Sequence, residues 1–433
     1  METELKRLQL ENNELRKIIS KYQNDDTKNH NSLLSSDQIL RYSRQLLVPQ
    51  IGTNAQIHLS NSKVLVIGAG GLGSSLLPYL AGSGIGTIGI IDSDVVERSN
   101  LHRQVLYKDN EIGLSKVLCA KRSLLALNPT INVETHYLRF THENSIEMVK
   151  GYDLVIDASD NPLTRYIVND SCVLVGDKPL ISGSAMGLEG QVTVYNYNDL
   201  SAESETKGPC YRCIFPKPLP TEAGRSCSDN GVLGPVTGLI GSIQAIEAIK
   251  IIGKVGKVLS GKMCTFDAFN SSFYEFEVGS RNKDCVVCGD NPSITNIQQS
   301  FEWCQQMKLG CNINSKLPND LPSISCYELK EAMKESFGLS SNTSNDYNSC
   351  GVVVIDVRPK VQFDLCSLKN SINIPLSELF GFGCETKCEL NRYSNNGERK
   401  IVMLCRRGNA SRKAVMWAKE WNVSNVYNVV GGL

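Results

Sequence analysis

The sequence has no excess of either charge. Lysine plus arginine and aspartate plus glutamate each number 45, which gives no argument for a nucleic-acid or membrane surface. An apolar stretch of signal-peptide kind is also lacking, because the first residues read METELKRLQLENNELRK. Nor is there an uncharged run of membrane-spanning length. The longest apolar-looking segment, Val236 to Gly253, contains Gln244, Glu247 and Lys250 and reads as a buried helix. No internal repeat is visible. The expectation is a protein of the reducing cytosol, with no membrane and no direct nucleic-acid partner. In that compartment 16 cysteines point to metal or sulfur chemistry more than to a disulfide framework.

What is present is a chain of 433 residues, 41% hydrophobic, long enough for about three units of roughly 150 residues each. Its strongest pattern runs from Lys63 to Asp94. Val64 to Ile67 is a β-branched and apolar run, the pattern of a strand buried on both faces. It leads into Gly68-x-Gly70-x-x-Gly73 and an apolar segment of helical character, and a second buried run, Thr87 to Ile91, ends at Asp92. Glycines allow a sharp turn and a close approach to phosphate. The helix N-terminus offers free N–H groups, and a carboxylate at the second strand end can hold a ribose. This is the pattern of a nucleotide site.

From Lys63 to about Ser280 buried runs alternate with helical segments, which predicts an α/β fold with a Rossmann-like, doubly wound sheet. Strands are expected at Val64–Ile67, Thr87–Ile91, Asn132–Tyr137, Leu154–Asp157, Pro179–Ser182 and Gln191–Tyr195. Pro78 falls inside the helix after the glycine loop and is expected to bend it. Ahead of this region, residues 1–24 carry a helical segment, Glu4 to Lys21, with Leu5, Leu8, Leu15 and Ile19 near heptad spacing. It suits a short coiled coil or a solvent-exposed helix. Asn24 to Ser36 is a polar linker, and a further helix is expected at Asp37 to Leu46. The first domain spans residues 37–289 and residues 290–322 read as a linker. A second α/β domain covers 323–433, with buried strands at Val352–Asp356 and Lys400–Leu404 and surface loops at Ser340–Ser349 and Asn391–Gly397.

Further features make the nucleotide site specific. Ser99-Asn100-Leu101-His102-Arg103 follows the second strand, Lys116 lies on the next helical segment, and Asp160-Asn161 follows the strand Leu154–Asp157. Hydride transfer needs no cluster of cations near phosphates. Cleavage at an α-phosphate does, because charge develops on the phosphoryl oxygens and the leaving pyrophosphate, and lysine, arginine and carboxylate-held magnesium stabilise it. Taken singly, exposed cations are usually just solvated and a loop Asp-Asn is usually a turn. Two pairs, Cys210-x-x-Cys213 and Cys285-x-x-Cys288, have metal-ligand spacing and suit one structural tetrahedral zinc, the alternative being four reduced core thiols.

These stretches carry a family resemblance. RYSRQ, GAGGLG, IDSDVVERSNLHRQ, Gly113-Leu114-Ser115-Lys116, DASDN, GQVTVY, PCYRCIFP and CVVCG resemble the MoeB/ThiF group of ubiquitin-activating-like adenylyltransferases over residues 37 to 289. The resemblance implies that ATP with magnesium activates the C-terminal glycine of a small ubiquitin-like protein as an acyl-adenylate. It implies that Gly71 and Asp92 contact the nucleotide, that Ser99 to Arg103 and Lys116 engage its phosphates, and that Asp160 and Asn161 support magnesium and adenine. Arg44 would reach into the partner subunit's site, which implies a homodimer. Cys227, in GRSCSDNGVLG, would be the cysteine that links covalently to the activated C-terminus, against the plainer reading of an incidental loop cysteine.

The second domain resembles a rhodanese through Asp356-Val357-Arg358, Ile374-Pro375 and Cys405-Arg406-Arg407-Gly408-Asn409-Ala410-Ser411. A loop curling from a strand toward a helix start aims N–H groups at the sulfur. Arg406, Arg407 and Arg412 add positive charge that favours thiolate and persulfide anions. The related phosphatase loop, Cys-x5-Arg, is not matched, since Ser411 stands at the arginine position. A docking module without catalysis is the alternative. Ala410 replaces the acidic residue usual in the fused family, and the chain stops at Gly431-Gly432-Leu433, where rhodanese domains usually continue into a terminal helix, so a truncated second domain is expected.

The domain order resembles the eukaryotic fused adenylyltransferase–sulfurtransferases. That implies a persulfide on Cys405, loaded by a cysteine desulfurase, and a C-terminal thiocarboxylate on a ubiquitin-like sulfur carrier ending in Gly-Gly. Such carriers are a ubiquitin-related modifier and the small subunit of molybdopterin synthase, serving tRNA wobble-uridine thiolation and molybdenum cofactor synthesis. The rival readings are a modifier-activating enzyme working through a Cys227 thioester, a nucleotide-binding scaffold and, weakest, an NAD dehydrogenase, which leaves the paired cysteines and the Arg103–Lys116 cations unexplained.

Overall fold

The computed structural model describes residue 14 and residues 34–176, 178–198, 207–218, 231–307, 321–337, 351–381, 383–395, 397–406 and 408–433. The helix expected at Glu4 to Lys21, apart from residue 14, lies outside the described residues, as do Cys227, Arg407 and the whole loop at 340–349. The chain forms two compact units, Met1–Gly310 and Cys311–Leu433.

In the first unit the apolar runs become β1 (Lys63–Ile67), β2 (Thr87–Ile91), β3 (Asn132–His136), β4 (Leu154–Asp157), β5 (Leu180–Met186) and β6 (Glu189–Tyr195). A hairpin of β7 (Lys262–Asp267) and β8 (Ser272–Glu277) completes an eight-stranded sheet ordered β3-β2-β1-β4-β5-β6-β7-β8. The first five strands in this order pair parallel, and the three remaining pairings, β5–β6, β6–β7 and β7–β8, are antiparallel. Period-two alternation sorts β1 between two apolar clusters. Val64 and Val66 enter one, Leu65 and Ile67 the other, so both faces are covered.

Helices α1 (Gly71–Ser83), α2 (Lys116–Leu127), α3 (Pro162–Leu174) and α4 (Gly234–Gly253) clothe the sheet. Among the described residues α4 alone is long and apolar enough to cross a membrane. It packs along α1 and behind β5 and β6, burying Val236, Ile240, Gln244, Ala245, Glu247 and Ala248, as expected of a core helix. Pro78 lies inside the helical span of α1, which runs on past it to Ser83.

The structure departs from the sequence reading in several places. Residues 37–46 are two short helices, Ser36–Arg41 and Ser43–Leu46, which meet at the buried Tyr42. The β7–β8 hairpin was not expected. Phe273, Tyr274 and Phe276 stay exposed on the edge strand, so no half-buried alternation marks it.

The largest departure is in the segment expected as a linker. It contains α5 (Ile297–Gln306), whose Asn296 cap accepts from Gln299 N at 3.0 Å. Ile297, Phe301, Trp303 and Cys304 dock on the cluster containing Tyr166 and Ile167 of α3. These four apolar positions share one face at helical spacing and are hidden in composition by the Gln and Ser between them. The docking encloses an ion pair. Arg212, between the cysteines of the first pair, donates to Asp170 of α3 at 2.7–2.9 Å, with both side chains fully buried. Its guanidinium lies 4.0 Å from the Trp303 ring centroid, and Ser300 donates to the same carboxylate.

The second unit is a parallel sheet ordered β11-β10-β12-β13-β9. Its strands are β9 (Ser323–Ile324), β10 (Val352–Asp356), β11 (Ile372–Asn373), β12 (Lys400–Leu404) and β13 (Val426–Val429). The expected strands are the two central ones. The others, two to four residues long, are too short to carry a pattern. α6 (Asn409–Glu420) follows β12 and packs on β12 and β13.

Removing one partner of a buried pair leaves an uncompensated charge. Asp170→Ala should therefore destabilise the first unit by about 3–5 kcal/mol, seen as an earlier transition in urea denaturation of the full chain. An unshifted transition would mean that Arg212 finds another acceptor.

Candidate functional site

The strand order reverses at β1, with β2 on one side and β4 on the other, so the carboxyl ends of these strands open into a crevice. The glycine loop closes its floor. Gly68 has φ +98°, and a Cβ there would lie 2.8 Å from Ala158 O; at Gly73 a Cβ would lie 2.2 Å from Gly68 O. Only glycine permits this close packing of turn, strand end and helix start. Asp92, half-buried at the end of β2, accepts from Ala69 N and Asp94 N, each at 2.8 Å, and so fastens the loop. Tyr107 donates to Ala69 O at 2.7 Å from the other side, and burial pushes its phenol far up.

Lys116, first residue of α2, is 4% exposed, with Nζ 2.9 Å from Asp94 Oδ2. Asp94 is a site residue that sequence reasoning missed, although its position two residues beyond Asp92 was the available signal. The residues 99–103 divide in their roles. Asn100 is buried and accepts from Glu97 N, and Leu101 packs against the core, so these two hold the turn. Ser99 and His102 are exposed and Arg103 half-buried, with Arg103 Nη1 2.9 Å from Ser99 O and 2.7 Å from His102 Nε2. Ser74 of α1 donates to Arg103 O at 3.4 Å, and Val96 N donates to Leu114 O at 2.8 Å, which ties the segment to the glycine-loop helix and to the start of α2.

At the end of β4, Asp157 is buried and both its oxygens are engaged, by Ser159 and by Ser182. The next carboxylate, Asp160, is exposed. Asn161 caps α3 by accepting from Leu163 N at 3.0 Å. Arg165, also missed, donates to Ser159 O and Gly183 O, both at 3.0 Å, and braces this loop. The crevice thus collects Gly71, Asp92, Ser99–Arg103, Lys116, Asp160 and Asn161 around adjacent strand ends. Arg44 is exposed on the helix Ser43–Leu46. Cys227 lies outside the described residues.

Both cysteine pairs come together. The sulfurs of Cys210, Cys213, Cys285 and Cys288 all lie within 4.8 Å of one another, with contacts of 3.4–3.7 Å. Four thiolates at about 2.3 Å from a tetrahedral zinc stand about 3.8 Å apart, so this donor set fits. Mutual hydrogen bonds push Cys213 and Cys285 below the usual thiol range and Cys210 and Cys288 above it. Asn282 N donates to Cys213 Sγ at 3.3 Å, a brace for one ligand.

In the second unit Cys405 follows β12, is 3% exposed, and begins the loop that enters α6 through Gly408 at φ +80°. Asp356 and Arg358 form a buried pair at 2.6 Å, which raises the guanidinium pKa further. Arg358 also donates to Cys366 O, and Asn373 donates to Asp356 O and Arg358 O. The Asp-Val-Arg stretch is therefore a clamp on the neighbouring strand end. Arg406 is exposed and Arg412 half-buried.

Residues 42–287 match the ThiF family and residues 342–433 the rhodanese-like domain. A curated relative from Dictyostelium discoideum, adenylyltransferase and sulfurtransferase MOCS3, is 42% identical over 401 residues, spanning 88% of this chain and 89% of that one. The protein of that name from Arabidopsis thaliana is 42% identical over 410 residues, 92% of this chain and 83% of the other. Among solved structures, MccB of E. coli with ATP is 28% identical with a TM-score of 0.50, covering 57% of this chain and 74% of that one. MccB without a named ligand gives 27% identity and a TM-score of 0.51, over 61% and 75%.

Elemental analysis of the full chain should find one divalent metal per chain, and Cys285→Ser should lower that content severalfold. Metal content unchanged by the serine would place the metal elsewhere.

Proposed function

The chain belongs to the ThiF family and carries a rhodanese-like domain behind it; on that premise we propose how its residues divide the work of an adenylyltransferase and sulfurtransferase. The substrate is the C-terminal glycine of a ubiquitin-like sulfur carrier ending in Gly-Gly. The observation that carries the reading is the crevice, where an anchored glycine loop, a lysine, an arginine and an exposed carboxylate gather at adjacent strand ends. The likeness to MccB, solved with ATP, supports ATP as the nucleotide.

In this reading Gly71 and Asp92 seat the nucleotide. Ser99, His102 and Arg103 face its phosphates on a turn held by Asn100 and Leu101. Lys116 exchanges Asp94 for phosphate oxygens, which places a nearly buried cation where charge develops. Asp160 holds magnesium, and the free amide group of Asn161 serves adenine. The carrier carboxylate attacks the α-phosphate, pyrophosphate leaves, and an acyl-adenylate remains. Arg44 completes the site of a second copy in a homodimer. The four cysteines hold one structural zinc.

Cys405 carries the sulfur as a persulfide received from a cysteine desulfurase. Attack of its terminal sulfur on the adenylate carbonyl expels AMP and leaves the carrier joined to Cys405 through an acyl disulfide. The Cys227 thiolate then attacks Cys405 Sγ, forming a Cys227–Cys405 disulfide as the carrier leaves as a thiocarboxylate, and a thiol reductant restores both cysteines. The thiocarboxylate then serves tRNA wobble-uridine thiolation and molybdenum cofactor synthesis in the cytosol.

ATP–pyrophosphate exchange should require the carrier and fall by about a hundredfold or more in Lys116→Ala and Asp160→Asn. Cys405→Ala should leave exchange intact and stop thiocarboxylate formation from a persulfide donor. Exchange in the absence of any carrier, or thiocarboxylate from Cys405→Ala, would overturn this division of labour.

A further inference from the structure

Next to the Cys405 sulfur lie two polar side chains that carrying sulfur does not by itself require. Ser411, on α6, is 0% exposed and Asn428, on β13, is 2% exposed. Ser411 Oγ lies 3.2 Å from Cys405 Sγ and donates to Asn428 Oδ1 at 2.7 Å. Among the described residues no other side chain hydrogen-bonds this sulfur. The three groups come from a loop, a helix and a strand, and they form a buried chain from sulfur through hydroxyl to amide.

A hydroxyl has one hydrogen and two lone pairs. While that hydrogen points to Asn428, Ser411 can only accept from the Cys405 thiol, and S–H is a weak donor. Once the sulfur is charged, a hydroxyl pointing at it makes a stronger, charge-assisted bond. The Asn428 amide carries an acceptor at one end and a donor at the other. Turned over, its Nδ2 donates to Ser411 Oγ and leaves the hydroxyl hydrogen for the sulfur, so sulfur, hydroxyl and amide stay hydrogen-bonded in sequence in either state.

We infer that Ser411 is a catalytic residue of sulfur transfer, the donor to Cys405 Sγ whenever that sulfur bears charge, and that Asn428 is a positioning residue acting through Ser411. In loading, the thiol first gives its proton to solvent. Sγ then attacks the terminal sulfur of a donor persulfide, the Sγ–S bond forms, the donor's S–S bond breaks, and the donor leaves as a thiolate. After transfer, when a thiol reductant attacks the partner sulfur of the disulfide that holds Cys405, that S–S bond breaks, Sγ leaves as a thiolate again and meets the same hydroxyl.

Of the charged groups, Arg358, paired with Asp356 just past the end of β10, interacts electrostatically with the sulfur, while Arg406 in the loop and Arg412 on α6 are its neighbours in the chain. Substitution at 411 or 428 leaves all four in place. The inference deepens the sulfur-carrying role proposed for Cys405 and rests on it. Its test reads the thiol alone, so failure here is distinct from failure to adenylate or thiolate a carrier.

The test is the pH profile of iodoacetamide alkylation of the full chain, followed at the Cys405 peptide by mass spectrometry. Ser411→Ala should raise the midpoint by about one pH unit, which is about tenfold slower alkylation near neutrality. Ser411→Thr, which keeps the hydroxyl, should retain the wild-type midpoint. Asn428→Ala should raise the midpoint by less, and should add nothing in the Ser411→Ala background. An unchanged midpoint in Ser411→Ala overturns the role of Ser411. An Asn428→Ala shift of the same size with and without Ser411 overturns the relay.

Discussion

The parallel pairing of β1 on both edges is the constraint from which the first unit follows. Because β2 and β4 take opposite sides of β1, the loops leaving their carboxyl ends diverge, and the space between them is the crevice. Close packing of Gly68 on Ala158 and of Gly73 on Gly68 lets the strand turn into α1 without filling that space. The hydrogen bond from Ala69 N to Asp92 then ties the glycine loop to the carboxylate that follows β2. Lys116 is nearly buried, and Asp94 stabilises its charge.

The same unit is also held together by sulfur and charge rather than by apolar area alone. The cysteine cluster joins chain segments 75 residues apart, and Arg212 between the first two cysteines ties that knuckle to α3 and α5. A metal at the cluster would therefore stabilise the helix that precedes the second unit as well as its own loops. This coupling explains why polar residues such as Gln298, Gln299 and Ser300 occur on an ordered helix instead of a free tether.

The second unit repeats the strategy with a different payload. A central parallel strand ends at a reactive position, a neighbouring strand end is clamped by Asp356 and Arg358, and the loop turns through Gly408 into a helix. In the first unit the strand end runs into a glycine loop anchored by Asp92. In the second it presents one sulfur, almost fully buried, with a hydroxyl and an amide lined up beside it.

The sequence by itself determined the elements whose signal is local. Runs such as KVLVI, LVID and VVVID specify buried strands because β-branched residues in unbroken apolar runs suit a sheet covered on both faces. The glycine loop, the paired cysteines and the Cys405 loop were legible because their chemistry lies within a few residues. Tertiary structure alone decided the partners. Asp94 reaches Lys116 across 22 residues, Arg212 reaches Asp170 across 42, and Ser411 reaches Asn428 across 17. Each pairing depends on which strand neighbours which and on how helices pack against them. The docking of α5 and the exposed β7–β8 hairpin were hidden for the same reason, since a stripe of apolar residues declares its face only when a complementary surface is present to bury it or to leave it bare.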